Sequence, residues 1–217
     1  MPIATYNLPR ALDPVPATPL TPTSFAPFGA VVSSAQQLQT MTQIPANYGT
    51  AIKLAKVTPV TNNFARAPSK KTATTNVNLF RSSVPVKLIE RTAAEEGVYL
   101  TGVLERHPFS TQTFLPMGVD ARDVAYLVIV AETKAEDGLP DLSTLKAFVA
   151  MGNQAVTYGP GTWHAPMVAL KEVIDFAVLM HENGVPDEDC QEVYINPRVP
   201  IKFSIRTAAV SGISAKL

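Results

Sequence analysis

Few residues in this sequence could do chemistry near neutral pH: three histidines, His107, His164 and His181, and one cysteine, Cys190. Imidazole is the side chain whose ordinary pKa lies closest to physiological pH, and it is also a common metal ligand. Spacing separates the three. In an extended chain alternate side chains share a face, so the run from Tyr99 to His107 presents Glu105 and His107 on the same side. After the break at Pro108, Gln112 and Phe114 resume the alternation, and the segment ends at Leu115-Pro116-Met117-Gly118. The second histidine follows a tight turn, Tyr158-Gly159-Pro160-Gly161-Thr162-Trp163-His164-Ala165-Pro166, and such a turn aims the next side chains inward. His107 and His164 therefore read as an acid/base pair with Glu105 beside them. The set Glu105, His107, Gln112 and His164 could also hold a divalent ion such as nickel or zinc, but an amide oxygen is a poor ligand and the metal-free acid/base pocket is the preferred reading. His181 lies in the Gly-terminated segment Met180-His181-Glu182-Asn183-Gly184 and reads as exposed and inert. A lone cysteine excludes an internal disulfide framework and a multi-cysteine zinc site.

The elements that must position these residues are strands. The chain has 217 residues, 46% of them hydrophobic and 17% charged, enough for one sizeable core. Short β-like runs alternate with Gly and Pro breakers: 30–32, 51–57, 77–80, 86–90, 99–106, 113–115, 124–132, 145–150, 155–158, 173–180, 191–195 and 201–206. That spacing indicates a sandwich or barrel. The only helix candidate is the segment 36–42. Pro2, Pro9, Pro14, Pro16, Pro19, Pro22 and Pro27 fall within residues 1–27, a segment that supplies no inner strand; 1–22 reads as an extended N-terminal arm, with Phe25 and Phe28 buried against the body. The polar segment 62–75 reads as a mobile surface loop. Net charge is zero, and Lys70-Lys71 is the longest basic run, so the footprint of a nucleic-acid or membrane-surface binder is missing. The longest apolar run, Ala125 to Ala131, is of strand length, and the first 25 residues lack the apolar core of a signal peptide. The partner implied is a small molecule.

The two histidine segments resemble the paired motifs of the cupin superfamily, with Glu105 at the place of the first motif histidine, His107 at the second, Gln112 at the glutamate and His164 closing the second motif. A closer resemblance spans most of the chain. Ser24-Phe25-Ala26-Pro27-Phe28-Gly29, Leu79-Phe80-Arg81, Leu104 to Gln112, Pro140 to Phe148 and Gly159 to Pro166 are similar, in order, to the ureidoglycolate lyase family. The resemblance implies an all-β fold, a cupin-like double-stranded β-helix barrel over 23–217 preceded by the Pro-rich arm. It also implies a homodimer that splits ureidoglycolate into glyoxylate and urea in allantoin degradation. The long arm and the extra residues 62–71 point to a fungal member.

That chemistry assigns roles. Ureidoglycolate is a hemiaminal bearing a carboxylate, so elimination needs a base for the hydroxyl proton, an acid for the departing urea nitrogen and a grip on the carboxylate. His107 and His164 serve as acid and base, and Glu105 orients His107 or accepts from the urea amide. Arg81 grips the carboxylate or else pairs with a surface acid. Gln112 suits the ureido group or is an ordinary strand amide, and Trp163 contacts substrate or packs a barrel rim. Ala215-Lys216-Leu217 is a one-residue variant of the Ser-Lys-Leu address read by the peroxisomal import receptor, so the expected location is the peroxisome, with the cytoplasm as the alternative. Two other functions are open: a non-catalytic small-acid-binding cupin, and a metal-dependent cupin oxygenase.

Overall fold

The computed structural model describes residues 1–93 and 95–206, so the Ala215-Lys216-Leu217 tripeptide lies outside the described residues. The strands are β1 (Ala4–Asn7), β2 (Val15–Pro19), β3 (Gly29–Val32), β4 (Ile44–Ala46), β5 (Ala51–Lys53), β6 (Thr74–Ser83), β7 (Ile89–Ala93) and β8 (Glu96–Arg106). They continue with β9 (Gln112–Met117), β10 (Val124–Thr133), β11 (Pro140–Met151), β12 (Ala155–Tyr158), β13 (Trp163–His164), β14 (Val168–Ala169), β15 (Val173–Glu182) and β16 (Gln191–Ser204). Among the described residues three short α-helices, α1 (Pro22–Phe25), α2 (Ser34–Thr40) and α3 (Pro186–Asp189), and two 3-10 turns, Asn47–Gly49 and Phe64–Arg66, interrupt them.

Hydrogen bonding runs β16-β2-β11-β10-β13-β8 and returns to β16, which closes a ring of strands. The ring interior holds Leu104, Leu127, Ile129, Ala131, Trp163, Val193, Ile195, Val199 and Ile201. A five-stranded sheet, ordered β3-β12-β9-β15-β6, covers one outer side of the ring. Between ring and sheet lies a second core containing Phe25, Phe28, Phe114, Tyr126, Val128, Val130, Phe148, Tyr158, Phe176 and Val178. The fold is the expected all-β, cupin-like barrel. β10 belongs to both cores. Leu127, Ile129 and Ala131 point into the ring, while Tyr126, Val128 and Val130 point toward the sheet. This is why its sequence is an unbroken apolar run rather than an alternating one, as for any strand covered on both faces.

The N-terminal segment departs from expectation. It is extended, but β2 is an inner strand, parallel to both β16 and β11. Val15 and Pro16 pair with Ile201 and Lys202, whereas Ala17 to Pro19 pair with Ala147 to Val149. The two halves bond to different neighbours, so no proline has to bond on both sides. The segment 62–75 is also less free than its composition suggests. Asn62 bridges Ser110, Phe64 and Ala67 are buried, and Ser69 donates to Glu188 through its N–H at 2.7 Å and its hydroxyl at 2.6 Å. Among the described residues no helix is long and apolar enough to cross a membrane.

Candidate active site

The polar site lies where the core between ring and sheet runs out of apolar side chains. Glu105, next to last in β8, is the register partner of His164 in β13. His164 in turn faces Val130 of β10, so its ring enters the space between ring and sheet while the adjacent Trp163 enters the ring. Gln112 opens β9 on the opposing sheet. His107 follows the end of β8, and the Gly-Pro-Gly turn is tied directly to it: the Gly161 N–H donates to the His107 carbonyl at 2.8 Å. Gly161 has φ of +78°, the left-handed region in which glycine carries no steric penalty. Phe28 braces the same turn, its carbonyl accepting from the Gly159 N–H at 2.9 Å and the Thr162 hydroxyl at 3.0 Å. Thus two motifs far apart in sequence are locked together by backbone bonds. Tyr158 completes the wall by stacking on His164, with ring centroids 3.8 Å apart and planes 10° from parallel.

Both imidazoles are fixed by carbonyls. His107 Nδ1 is 2.6 Å from the Asp189 carbonyl oxygen, and His164 Nδ1 is 2.8 Å from that of Thr162. A carbonyl can only accept, so each Nδ1 carries the proton and each Nε2 presents a lone pair. His107 Nε2 is buried and meets no partner at normal hydrogen-bond geometry among the described residues, with the Gln112 side chain near enough to favour its proton. His164 Nε2 lies 3.1 Å from the Gln112 amide oxygen, itself an acceptor, and 3.6 Å from Glu105 Oε1. Ligand atoms of Glu105, His107 and His164 all lie within 4.8 Å of one another. With Glu105 ionised, lone pairs converge with no proton between them. Such a cluster is stable in three ways: a cation takes the lone pairs, the Gln112 amide turns and donates its NH2 to His164, or Glu105 takes up a proton and turns it toward His164.

Burial dominates the protonation of these groups. It holds the His164 imidazole down at about 3, and neighbouring His107 adds to the effect. Burial lowers His107 too, opposed by the Asp189 carbonyl. It pushes the Glu105 carboxyl up to about 7, reinforced by the charge of Glu192, its register partner on β16. No lysine or arginine of the described residues figures among the charges acting on these three groups.

Glu105, His107, Gln112 and His164 come together as the spacing suggests. The other two expected site residues do not join them. Arg81 projects from the outer face of β6, its side chain 72% exposed and 3.6 Å from Asp175, the surface-pair alternative. Trp163 is fully buried inside the ring, donating to the Gly138 carbonyl at 3.2 Å with the Arg106 guanidinium 4.6 Å over its ring. It packs the barrel rather than lining the site. His181 is buried, not exposed. The carbonyls of Thr162 and Asp189 were not legible as site components, because a backbone acceptor leaves no side-chain signature; nor were Tyr158 and Glu192, which join through ring packing and strand pairing that the sequence does not display.

The fold and this site together define a cupin-like protein with a small polar pocket of two imidazoles, a carboxylate and an amide. A family model for ureidoglycolate lyase matches residues 12–202. The chain is 45% identical over 189 residues to the ureidoglycolate lyase of Saccharomyces cerevisiae, covering 82% of this chain and 92% of that protein. It is 42% identical over 191 residues to the ureidoglycolate lyase of Schizosaccharomyces pombe, covering 88% of this chain and 96% of the relative. A bacterial relative of the same name from Burkholderia mallei is 38% identical over 164 residues, 74% of this chain and 78% of that one. The chain belongs to the ureidoglycolate lyase family.

Proposed function

We propose that this protein eliminates urea from ureidoglycolate to release glyoxylate. The observation that carries this reading is the family match over residues 12–202, which spans the whole described site. The chemistry of the site agrees with it. The substrate hydroxyl and the departing ureido nitrogen share one carbon, so a single carboxyl can take the proton from the first and return it to the second. Glu105, raised to about 7, is poised near neutral pH for that transfer. The two imidazoles, neutral and held by carbonyls, cannot grip a carboxylate, and Arg81 is remote.

The missing positive charge favours a divalent cation on Glu105, His107 and His164, with the Gln112 amide oxygen beside them. The orphaned His107 Nε2 and the facing acceptors at His164 and Gln112 fit such an ion. When bound it supplies positive charge for the substrate carboxylate and hydroxyl oxygens. The residues do the rest: Asp189 and Thr162 hold both rings to one tautomer, Tyr158 fixes the plane of His164, and burial excludes bulk water. The metal-free acid/base reading is favoured by one observation, the neutral-range Glu105. The direct experiment is release of equimolar glyoxylate and urea by purified protein, before and after chelation. Ammonia appearing at the rate of glyoxylate would sink the lyase reading, and full activity after chelation would leave Glu105 to act without metal.

Two further properties belong to this proposal. A homodimer is supported by the outer face of the five-stranded sheet, where Val77, Leu79, Leu115, Met117 and Val173 are exposed side by side. Soluble monomers seldom leave so contiguous an apolar face uncovered. Sedimentation of the parent and of Leu79→Glu tests it: the variant should be monomeric. Peroxisomal location through the import receptor is supported by Ala215-Lys216-Leu217. Deleting the tripeptide from a tagged protein should move it from punctate organelles to the cytosol.

A further inference from the structure

Beyond the histidine cluster, the inner face of the five-stranded sheet carries a second polar group. Along β15, Ile174, Phe176, Val178 and Met180 all enter the core between ring and sheet, and Glu182 is the next residue on that face. Across from it, β6 places Asn76 opposite Met180 and Asn78 opposite Val178. Their side chains share the inner face with Phe80, which meets Phe114 edge-on at 5.6 Å. Both amides donate to one oxygen of Glu182, Asn76 Nδ2 at 2.8 Å and Asn78 Nδ2 at 3.1 Å. The Glu182 charge reaches His107. Met180, one step along the face, is the register partner of Gln112 and receives its amide at 3.7 Å. Glu182 thus lies about 7 Å along the strand from the row that holds Gln112, at roughly 3.4 Å per residue.

This is an unusual way to hold a carboxylate. Among the described residues no cation pairs with it; two amide donors fix one oxygen, and the other takes no hydrogen bond from those residues. A fixed, half-buried acceptor repels anions and selects N–H donors. Ureidoglycolate carries an anion at one end and an amino group at the other, so a carboxylate on the same inner face as Gln112, and near enough for its charge to act on His107, can take the amino end while the anion lies at the histidine cluster. We propose that Glu182, positioned by Asn76 and Asn78, is the specificity determinant that accepts from the terminal amino group of the ureido moiety and turns the carboxylate end toward Glu105, His107 and His164. The assignment rests on the lyase reading above.

The test compares two substrates in one assay for glyoxylate: ureidoglycolate, and N-acetyl-2-hydroxyglycine, in which a methyl group replaces the terminal amino group. Glu182→Gln keeps the acceptor for the two asparagines but turns an NH2 toward the substrate. Losing a hydrogen bond to a charged group corresponds to about 10- to 100-fold in kcat/KM. The expected result is a loss of that size on ureidoglycolate, with less than about threefold change on the acetyl analogue and an unchanged thermal midpoint. Where turnover of the analogue is too slow to follow, its inhibition constant gives the same comparison. Parallel losses on both compounds would make Glu182 a structural residue, and no loss on either would remove it from recognition. If the parent protein makes no glyoxylate from ureidoglycolate, the lyase reading fails and takes this assignment with it, an outcome distinct from either of those.

Discussion

The two cores are built from the same strands yet do different work. The ring interior is filled mainly by apolar side chains, with Trp163 and Ile129 among the fully buried ones and Thr101 and the Arg106 guanidinium as its polar members. The space between ring and sheet starts the same way, around Phe25, Phe114 and Phe176, but ends in His107, Gln112 and His164. β10 and β13 serve both, since successive residues on them face opposite sides. A one-residue slip of β13 would exchange Trp163 for His164 and place an imidazole in the ring. The ring is thus the packed support and the second space carries the polar candidate site, with the strand pleat keeping them apart.

The sharpest way to break this division is Trp163. If it belongs only to the ring, Trp163→Ala should cost about 3–5 kcal/mol of stability, the usual range for removing a buried aromatic side chain. The Gly138 carbonyl and the Arg106 guanidinium also lose a partner there. Trp163→Phe, which keeps most of the volume, should leave kcat/KM of the folded protein within about threefold. Denaturant melts and initial rates on the same samples measure both. A large loss of activity in the stable Phe variant would return Trp163 to the site.

His107→Ala and His164→Ala should do the reverse: each should lose on the order of 10²-fold or more in kcat/KM, whether the ring binds a cation or moves a proton. Near-parental turnover in both would move the chemistry to Glu105 alone.

Glu105 sharpens the comparison through pH. Burial raises its folded-state pKa from the ordinary 4.5 to about 7, so the folded protein binds this proton more tightly than the unfolded chain. Stability from this group is fully present below pH 4.5 and is lost as pH rises through 7. The loss corresponds to on the order of 3 kcal/mol. In chelator-treated protein, Glu105→Gln should therefore be more stable than the parent at pH 8 by up to that amount, and no different at pH 4. Urea melts at the two pH values check the sign; an equal effect at both would mean that the carboxyl is not held neutral by burial.

How much of this was legible in the sequence depended on where the signal resides. Strand positions were readable because alternation and breakers are local, and 155–158 coincides with β12. That Glu105, His107, Gln112 and His164 would meet was readable because they fall in two short motifs. β2 was not readable: its prolines argue against an inner strand, and only the division of its pairing between two neighbours makes them acceptable. His181 was misread because a Gly-ended turn suggests exposure, while burial depends on segments distant in sequence. β6 shows the reverse of the usual pattern. Asn76 and Asn78 face inward while Val77 and Leu79 face outward, so hydrophobicity alone would turn the strand over. That inversion is itself the signal that its inner face does something other than pack.

Arg81 follows from the same inversion and carries the smallest expected effect. Its neighbour Phe80 points inward to Phe114, so the pleat sends Arg81 outward with Leu79. There it meets Asp175, its own register partner on β15, at 3.6 Å. A surface pair of this kind contributes between about 0 and 1 kcal/mol, because water screens it and both side chains lose freedom. Arg81→Ala should therefore lower stability by less than about 1 kcal/mol and leave KM for ureidoglycolate within about twofold. A carboxylate grip lost from a binding site would instead raise KM strongly, with the charge-keeping Arg81→Lys recovering part of it. Since Arg81 lies on the face that includes Val77 and Leu79, a strong effect seen only in the dimer would mean that a second copy brings this guanidinium to its partner's site, and the variant should be assayed above and below the dissociation concentration.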